Sequence, residues 1–175
     1  FEENLPTSKS LNLGVSKAKG KYIYYLANDV LVHQNWLSEL IKHYRLRSKV
    51  KALGPLPDRS TPEAYKEKLK KMKRPLVEWD RCSFTSLHGG FFMEKKVFEE
   101  LGGFDENFDF YFVDRDFEQR LKDKGYESCQ IVSSLVTHLA SMTWFYTAEE
   151  DAKDPHTFNQ DKDIIYFQQK WERNP

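Results

Sequence analysis

The sequence predicts an α/β domain built on a mixed, mostly parallel sheet flanked by helices. Three observations lead there. Helical and strand periodicities alternate through the first third of the chain. The β-branched and aromatic runs are short and end in glycine or polar turn residues. The second half returns to helices closed by glycine, at Gly102-Gly103 and Gly125. With 175 residues and 39% hydrophobic content, the chain can fill one ordinary core.

The elements follow in order. Between Thr7 and Lys19, Leu11, Val15 and Ala18 recur at helical spacing behind the capping candidates Thr7 and Ser8, and Gly20 stops the run. Tyr22 to Leu26 is a buried strand that delivers Ala27-Asn28-Asp29 at its C-terminal end. Trp36, Leu37, Leu40, Ile41 and Tyr44 mark an amphipathic helix, and Val50 to Leu53 a short strand closed by Gly54-Pro55. Arg59 to Arg74 is polar and lysine-rich, a surface helix or loop. Phe84 to Leu87 and Phe91 to Met93 flank the pair Gly89-Gly90, and a helix from Lys95 to Leu101 follows. An aromatic and acidic loop, Asp105 to Tyr111, leads to a helix from Asp114 to Lys124. Ile131-Val132 and Leu135-Val136 form a last strand region ending at His138. Residues 1–146 make the main body. Residues 147–175 are an acidic linker and an amphipathic helix, Ile164 to Trp171, packed on the same domain.

Bulk properties narrow the function. The formal charge is +0, so no global field draws nucleic acid or an anionic membrane, and no nucleic-acid readout motif is present. Apolar runs stay short of the 18 or so residues of a membrane span, and no leader is visible, which makes the cytoplasm the default location. Cys82 and Cys129 are too few for a zinc cluster and read as free thiols. Lys66 to Arg74 is a solvated helix face, with a peripheral membrane-surface or phosphate-bearing acceptor contact as the alternative.

Carboxylates at element ends carry the candidate chemistry. Asp29 stands beyond the carboxyl end of a strand, where open α/β sheets bind ligands, and a turn or cap role is equally open to it. Asp114 and Asp116 begin a helix whose N-terminus favours their ionised form. An ionised carboxylate in a partly dry aromatic cleft can take a proton from an attacking hydroxyl. Alternatively, Asp114 caps the helix and Asp116 pairs with Arg120 one turn on. His138, at a strand end, is a hydrogen-bonder or a ligand according to its neighbours.

In order, Asn12-Leu13-Gly14, Ala18 to Ile23, Leu26 to Val30 and Trp36-Leu37 resemble the middle of the family 2 glycosyltransferases of GT-A fold, where a helix leads to a strand ending in the DxD-type motif. The second block, Gly90 to Met93, Phe98, Gly102 to Glu106, Asp114, Asp116, Arg120 and Gly125-Tyr126, is similar to the family's acceptor side with its ED-type catalytic base. Asn159 to Trp171 is similar to its closing helix.

The resemblance implies roles. Asp114 is the catalytic base. Asn12, Asn28 and Asp29 face the donor, and Asp29 with His138 holds Mn²⁺ or Mg²⁺ against the diphosphate. Gly90, Phe91, Asp105, Tyr111 and Asp116 face the acceptor. The implied activity is inverting transfer of a hexosyl or N-acetylhexosaminyl group from a nucleotide sugar, UDP-linked, to a hydroxyl of a glycan, lipid-linked glycan or protein, as in polysaccharide biosynthesis. Two departures, Ala27 for the first acid of the DxD-type motif and Val113 for the acid before the base, suggest the alternative of a non-catalytic glycan- or nucleotide-sugar-binding module. Only eleven residues precede Asn12, where the family carries a strand–helix–strand unit for base and ribose, so the fold is expected to be incomplete at the N-terminus.

Overall fold

A computed structural model describes residues 5–58, 90–138 and 160–171. The expectations for Arg59 to Arg74, for Lys66 to Arg74 as a membrane contact, for Phe84 to Leu87 and for residues 147–159 lie outside the described residues, as does the free thiol at Cys82.

The elements are α1 (Thr7–Lys17), β1 (Tyr22–Leu26), β2 (Val30–Val32), α2 (Trp36–Leu46), β3 (Val50–Asp58), β4 (Gly90–Glu94), α3 (Lys95–Glu100), α4 (Val113–Asp123), β5 (Glu127–His138) and α5 (Gln160–Trp171). One sheet has the order β1-β4-β3-β5-β2. It is mixed: β3 and β5 run parallel, whereas β4 pairs antiparallel with β3 and β2 antiparallel with β5. The antiparallel share exceeds what helix–strand alternation predicts, because β2 and β4 enter beside strands distant in sequence.

Three strand expectations change. β2 was not foreseen; its three residues gain strand structure only by pairing with Val136 to His138. β3 does not close at Gly54-Pro55 but continues to Asp58. It tolerates Pro55 and Pro57 because its register with β5 shifts between Pro55 and Leu56, a bulge that absorbs the missing donors. The two short runs after Gly125 are one strand, β5.

The chain divides into two compact units: residues Phe1–Ile23, Glu94–Gly125 and Lys153–Pro175, and residues Tyr24–Met93 and Tyr126–Ala152. In the second, α2 packs on β3 and β5. Leu40, Val50, Leu53, Phe92, Ile131 and Val136 form its core, with Tyr44 edge-on to Phe92 at 5.5 Å. Gly90 opens β4 at φ 131° where a Cβ would lie 2.1 Å from the Tyr25 carbonyl oxygen, so only glycine fits. Cys129 on β5 is fully buried and disulfide-bonded, which corrects the free-thiol expectation. A cysteine pattern reports spacing along the chain, and a disulfide is set by proximity in the fold.

In the first unit, Phe98 of α3, Phe104 and Phe117 of α4 pack with centroids 4.9–5.4 Å apart. Burying each ring stabilises by roughly 1.5–3 kcal/mol. Gly103, at φ 72°, lets the chain turn against Asn12, whose Oδ1 would sit 2.8 Å from an added Cβ. α4 starts from Phe112, whose φ of 61° is left-handed. That conformation costs a bulky residue about 1–3 kcal/mol and persists only where surrounding contacts hold it.

Candidate functional site

In the sheet unit, β1 ends at Leu26, the chain turns through Ala27 to Asp29, and β2 pairs back along the end of β5 with Val30 opposite His138. That register brings Asp29 Oδ1 within 3.2 Å of His138 Nε2, with the side chains 13% and 22% exposed. Asn28 is exposed at the turn. The pair suits a divalent cation: two donors at adjacent octahedral positions, with bonds of about 2.1 Å, lie about 3.0 Å apart. A carboxylate oxygen and an imidazole nitrogen are both donors to divalent cations. Among the described residues no group of three or more His, Cys, Asp or Glu could hold a metal, and Asp29 and His138 are the two donors that meet here.

The second set of residues lies in the helical unit. Asp114 sits in the first turn of α4, half-buried, and one of its oxygens accepts the Arg115 backbone N–H at 2.9 Å. It is not the N-cap, which is Phe112. Among the described residues no side chain pairs with it. Its neighbours differ. Asp116 is fully buried, pairs with Arg120 through Nε at 2.9 Å and Nη2 at 2.8 Å, and accepts Trp171 Nε1 at 3.0 Å and Lys170 Nζ at 2.6 Å. The ion pair that its spacing to Arg120 allows is thus formed, and no oxygen is left to face an acceptor. Asp105 accepts Lys170 Nζ at 2.7 Å, the Tyr166 hydroxyl at 2.9 Å and both nitrogens of Asn107. Burial alone would raise its pKa. The hydrogen bond from Lys170, then those from Asn107 and Tyr166, outweigh burial and hold the carboxyl at about 2. Lys170 is shifted up: burial opposes its charge, and Asp105 and Asp116 more than compensate.

Asn12, expected toward the donor, instead stitches α1 to the loop after α3: Nδ2 donates to the Phe104 carbonyl and to Glu106, both at 2.9 Å, and Oδ1 accepts the Phe104 N–H at 2.8 Å. Phe91 is 1% exposed and packs by Tyr25, so its ring and the neighbouring Gly90 serve the sheet. Tyr111 is half-buried, edge-on to Phe110 at 5.1 Å, and Phe110 is 48% exposed.

Sequence reasoning missed Asp163 of α5. Its carboxylate, with no exposure, accepts the backbone N–H groups of Asp109 at 3.0 Å, Phe110 at 3.0 Å and Tyr111 at 2.8 Å. The available signal was the helical spacing of Asp163, Tyr166, Phe167 and Lys170, which places all four on one face of α5.

The model of glycosyl transferase family 2 matches residues 1–102, more than half of the chain, and the chain belongs to that family. Its fold is that of the GT-A glycosyltransferases. A mannosyltransferase from Pyrobaculum calidifontis, solved with GDP-Man and Mn²⁺, matches at TM-score 0.55 and 17% identity over 77% of this chain and 36% of that one. GalNAc-T7, solved with UDP, GalNAc and Mn²⁺, matches at 0.57 and 18% over 79% and 31%. The catalytic domain of Drosophila β1,4-galactosyltransferase 7, in complex with xylobiose, matches at 0.53 and 15% over 91% and 60%. The chain therefore spans about a third of the first two and 60% of the third. No curated protein sequence matches it. The family match takes in Asn12, Asn28, Asp29, Gly90 and Phe91, and ends before Asp105, Asp114 and His138.

Proposed function

We propose that the protein is an inverting, divalent-cation-dependent glycosyltransferase that moves a hexosyl or N-acetylhexosaminyl group from a nucleotide sugar, UDP-linked, to a hydroxyl of a glycan, lipid-linked glycan or protein. One observation carries the reading beyond family membership. Of the acids on the loop and first turn of α4, Asp105, Asp109, Asp114 and Asp116, only Asp114 lacks a side-chain partner among the described residues. A half-exposed carboxylate at a helix N-terminus, where the dipole favours negative charge, is available to a substrate.

In this reading Asp114 accepts the proton of the acceptor hydroxyl as its oxygen bonds to the anomeric carbon. The bond from that carbon to the phosphate oxygen breaks on the opposite face, which inverts the centre and releases the nucleoside diphosphate. Asp29 Oδ1 and His138 Nε2 would hold the divalent cation. When bound, it offsets charge on the departing diphosphate. That the mannosyltransferase and GalNAc-T7 were solved with Mn²⁺ supports this choice.

Asp114→Asn, made in the longest natural chain that contains this domain, is expected to lower turnover about 10²–10⁴-fold with donor affinity retained. Wild-type turnover in that variant removes Asp114 from the mechanism.

A second reading, a binding module without turnover, is favoured by one observation: among the described residues only two candidate metal donors meet, where Ala27 stands in place of an acid. Calorimetric titration with UDP-sugars and Mn²⁺, followed by an assay for UDP release, separates the two. On location, no helix among the described residues is long and apolar enough to cross a membrane. The disulfide at Cys129 favours an oxidising compartment over the cytoplasm expected from the sequence.

A further inference from the structure

We infer that Asp163 of α5 is a positioning residue for Asp114: it fixes the backbone of residues 109–111 from which α4 and its first-turn carboxylate spring. The inference rests on the proposal that Asp114 is the catalytic base. Its own grounds are geometric and lie within one unit of the chain.

A buried carboxylate needs hydrogen-bond donors to remain charged. Asp163 obtains three, all of them backbone N–H groups of consecutive residues, Asp109, Phe110 and Tyr111. Backbone donors cannot rotate away as side chains can, so the carboxylate dictates the path of the loop. The next residue, Phe112, takes its left-handed turn at once, and its ring stacks on Phe167 of α5 at 4.9 Å. Two residues beyond Asp114, the buried Asp116 is held by Lys170 and Trp171 of the same helix. α5 therefore grips the chain on both sides of Asp114 and makes no hydrogen bond or ion pair with Asp114 itself among the described residues. That arrangement orients the base and, among the described residues, leaves its second oxygen open. Placement of a reacting group within about 1 Å decides on the order of 10²-fold in rate.

The test uses the longest natural chain containing the domain, with UDP- and GDP-hexoses, Mn²⁺ and methyl glycosides as probes, and follows nucleoside diphosphate release. Asp163→Asn keeps the shape of the side chain and replaces one acceptor oxygen by a donor. It is expected to reduce kcat about tenfold or more, to leave the donor KM within about twofold, and to speed amide exchange at residues 109–111 while the core of α4 stays protected. The double variant D114N/D163N is expected to be no slower than D114N, because a residue that acts through the base contributes nothing once the base is gone. Full kcat in D163N beside an inactive D114N overturns the inference and leaves the base assignment standing. Losses that multiply in the double variant overturn it as well. Full turnover in D114N removes the base assignment and this inference with it. If D163N does not fold, Phe167→Leu, which withdraws the ring beneath Phe112, carries the test: a loss in kcat alone supports the inference, and unchanged kcat overturns it.

Discussion

The carboxylates of Asp105, Asp114 and Asp116 look alike in the sequence: each is an acid set among aromatic residues near a helix start. Their partners separate them. Lys170 reaches Asp105 and Asp116 from more than fifty positions away, and no local periodicity could announce it. Asp114 was legible only as a first-turn acid, because apolar periodicity and the glycine stop at Gly125 bound the helix that carries it. Asp29 and His138 were legible singly, as strand-end residues, but their contact depends on the register of β2 on β5. A prediction follows at this scale. If the pair holds the cation, Asp29→Asn removes the only anionic protein donor among the described residues at that point. Mn²⁺ affinity, followed by electron paramagnetic resonance in the presence of UDP, is expected to weaken by at least about tenfold, equal to roughly 1.4 kcal/mol. Affinity unchanged in both Asp29→Asn and His138→Gln would move the cation elsewhere.

Elements divide by how local their causes are. α1, β1, α2 and α4 appear close to their expected bounds because apolar periodicity, glycine stops and first-turn acids act within a few residues. β2, the extension of β3 and the full length of β5 escaped because pairing with distant partners created them. Gly90 shows how tightly such pairing is built. In Gly90→Ala the methyl group would fall 2.1 Å from the Tyr25 carbonyl oxygen at a φ that alanine avoids. The sheet must shift, and a loss of about 2–4 kcal/mol is expected by urea denaturation. α5 makes a different prediction, through pH. The carboxyl of Asp105 drops from its ordinary value of 3.8 to about 2 on folding. A depressed carboxylate stabilises fully above its unfolded pKa and loses that contribution as pH falls through the folded one. The grip of α5 on the Asp105 loop is therefore expected to hold above about pH 4 and to fade toward pH 2. Lys170, raised from 10.5, contributes below that value and loses its contribution as pH climbs beyond it. Tyr166 fluorescence or amide exchange in α5 against pH checks both edges, and Asp105→Asn should erase the acid one.

At the scale of the whole molecule, family and fold were legible because their motifs keep their order along the chain, whereas the state of the cysteines was not. Two cysteines separated by 46 intervening residues give no spacing signal, and a cytosolic thiol was the natural expectation. Burial decides how the disulfide at Cys129 behaves. The sulfur has no exposure, on a β5 position paired with Leu53 of β3. Attack on this sulfur must wait for β5 to open, and opening a core strand requires a large part of the global unfolding energy. Labelling of Cys129 itself is expected only after reduction in denaturant. Once reduced, the chain should lose about 2–4 kcal/mol, because the cross-link no longer limits the unfolded ensemble. For a domain of this size each kcal/mol moves Tm by about 2–4 °C, so the reduced form is expected to melt roughly 5–15 °C lower. Maleimide labelling with mass spectrometry, before and after reduction, reports Cys129 directly, and calorimetry reports the melting shift. A Cys129 that labels in freshly unfolded, unreduced protein from its native host would restore the free thiol and with it the cytoplasm.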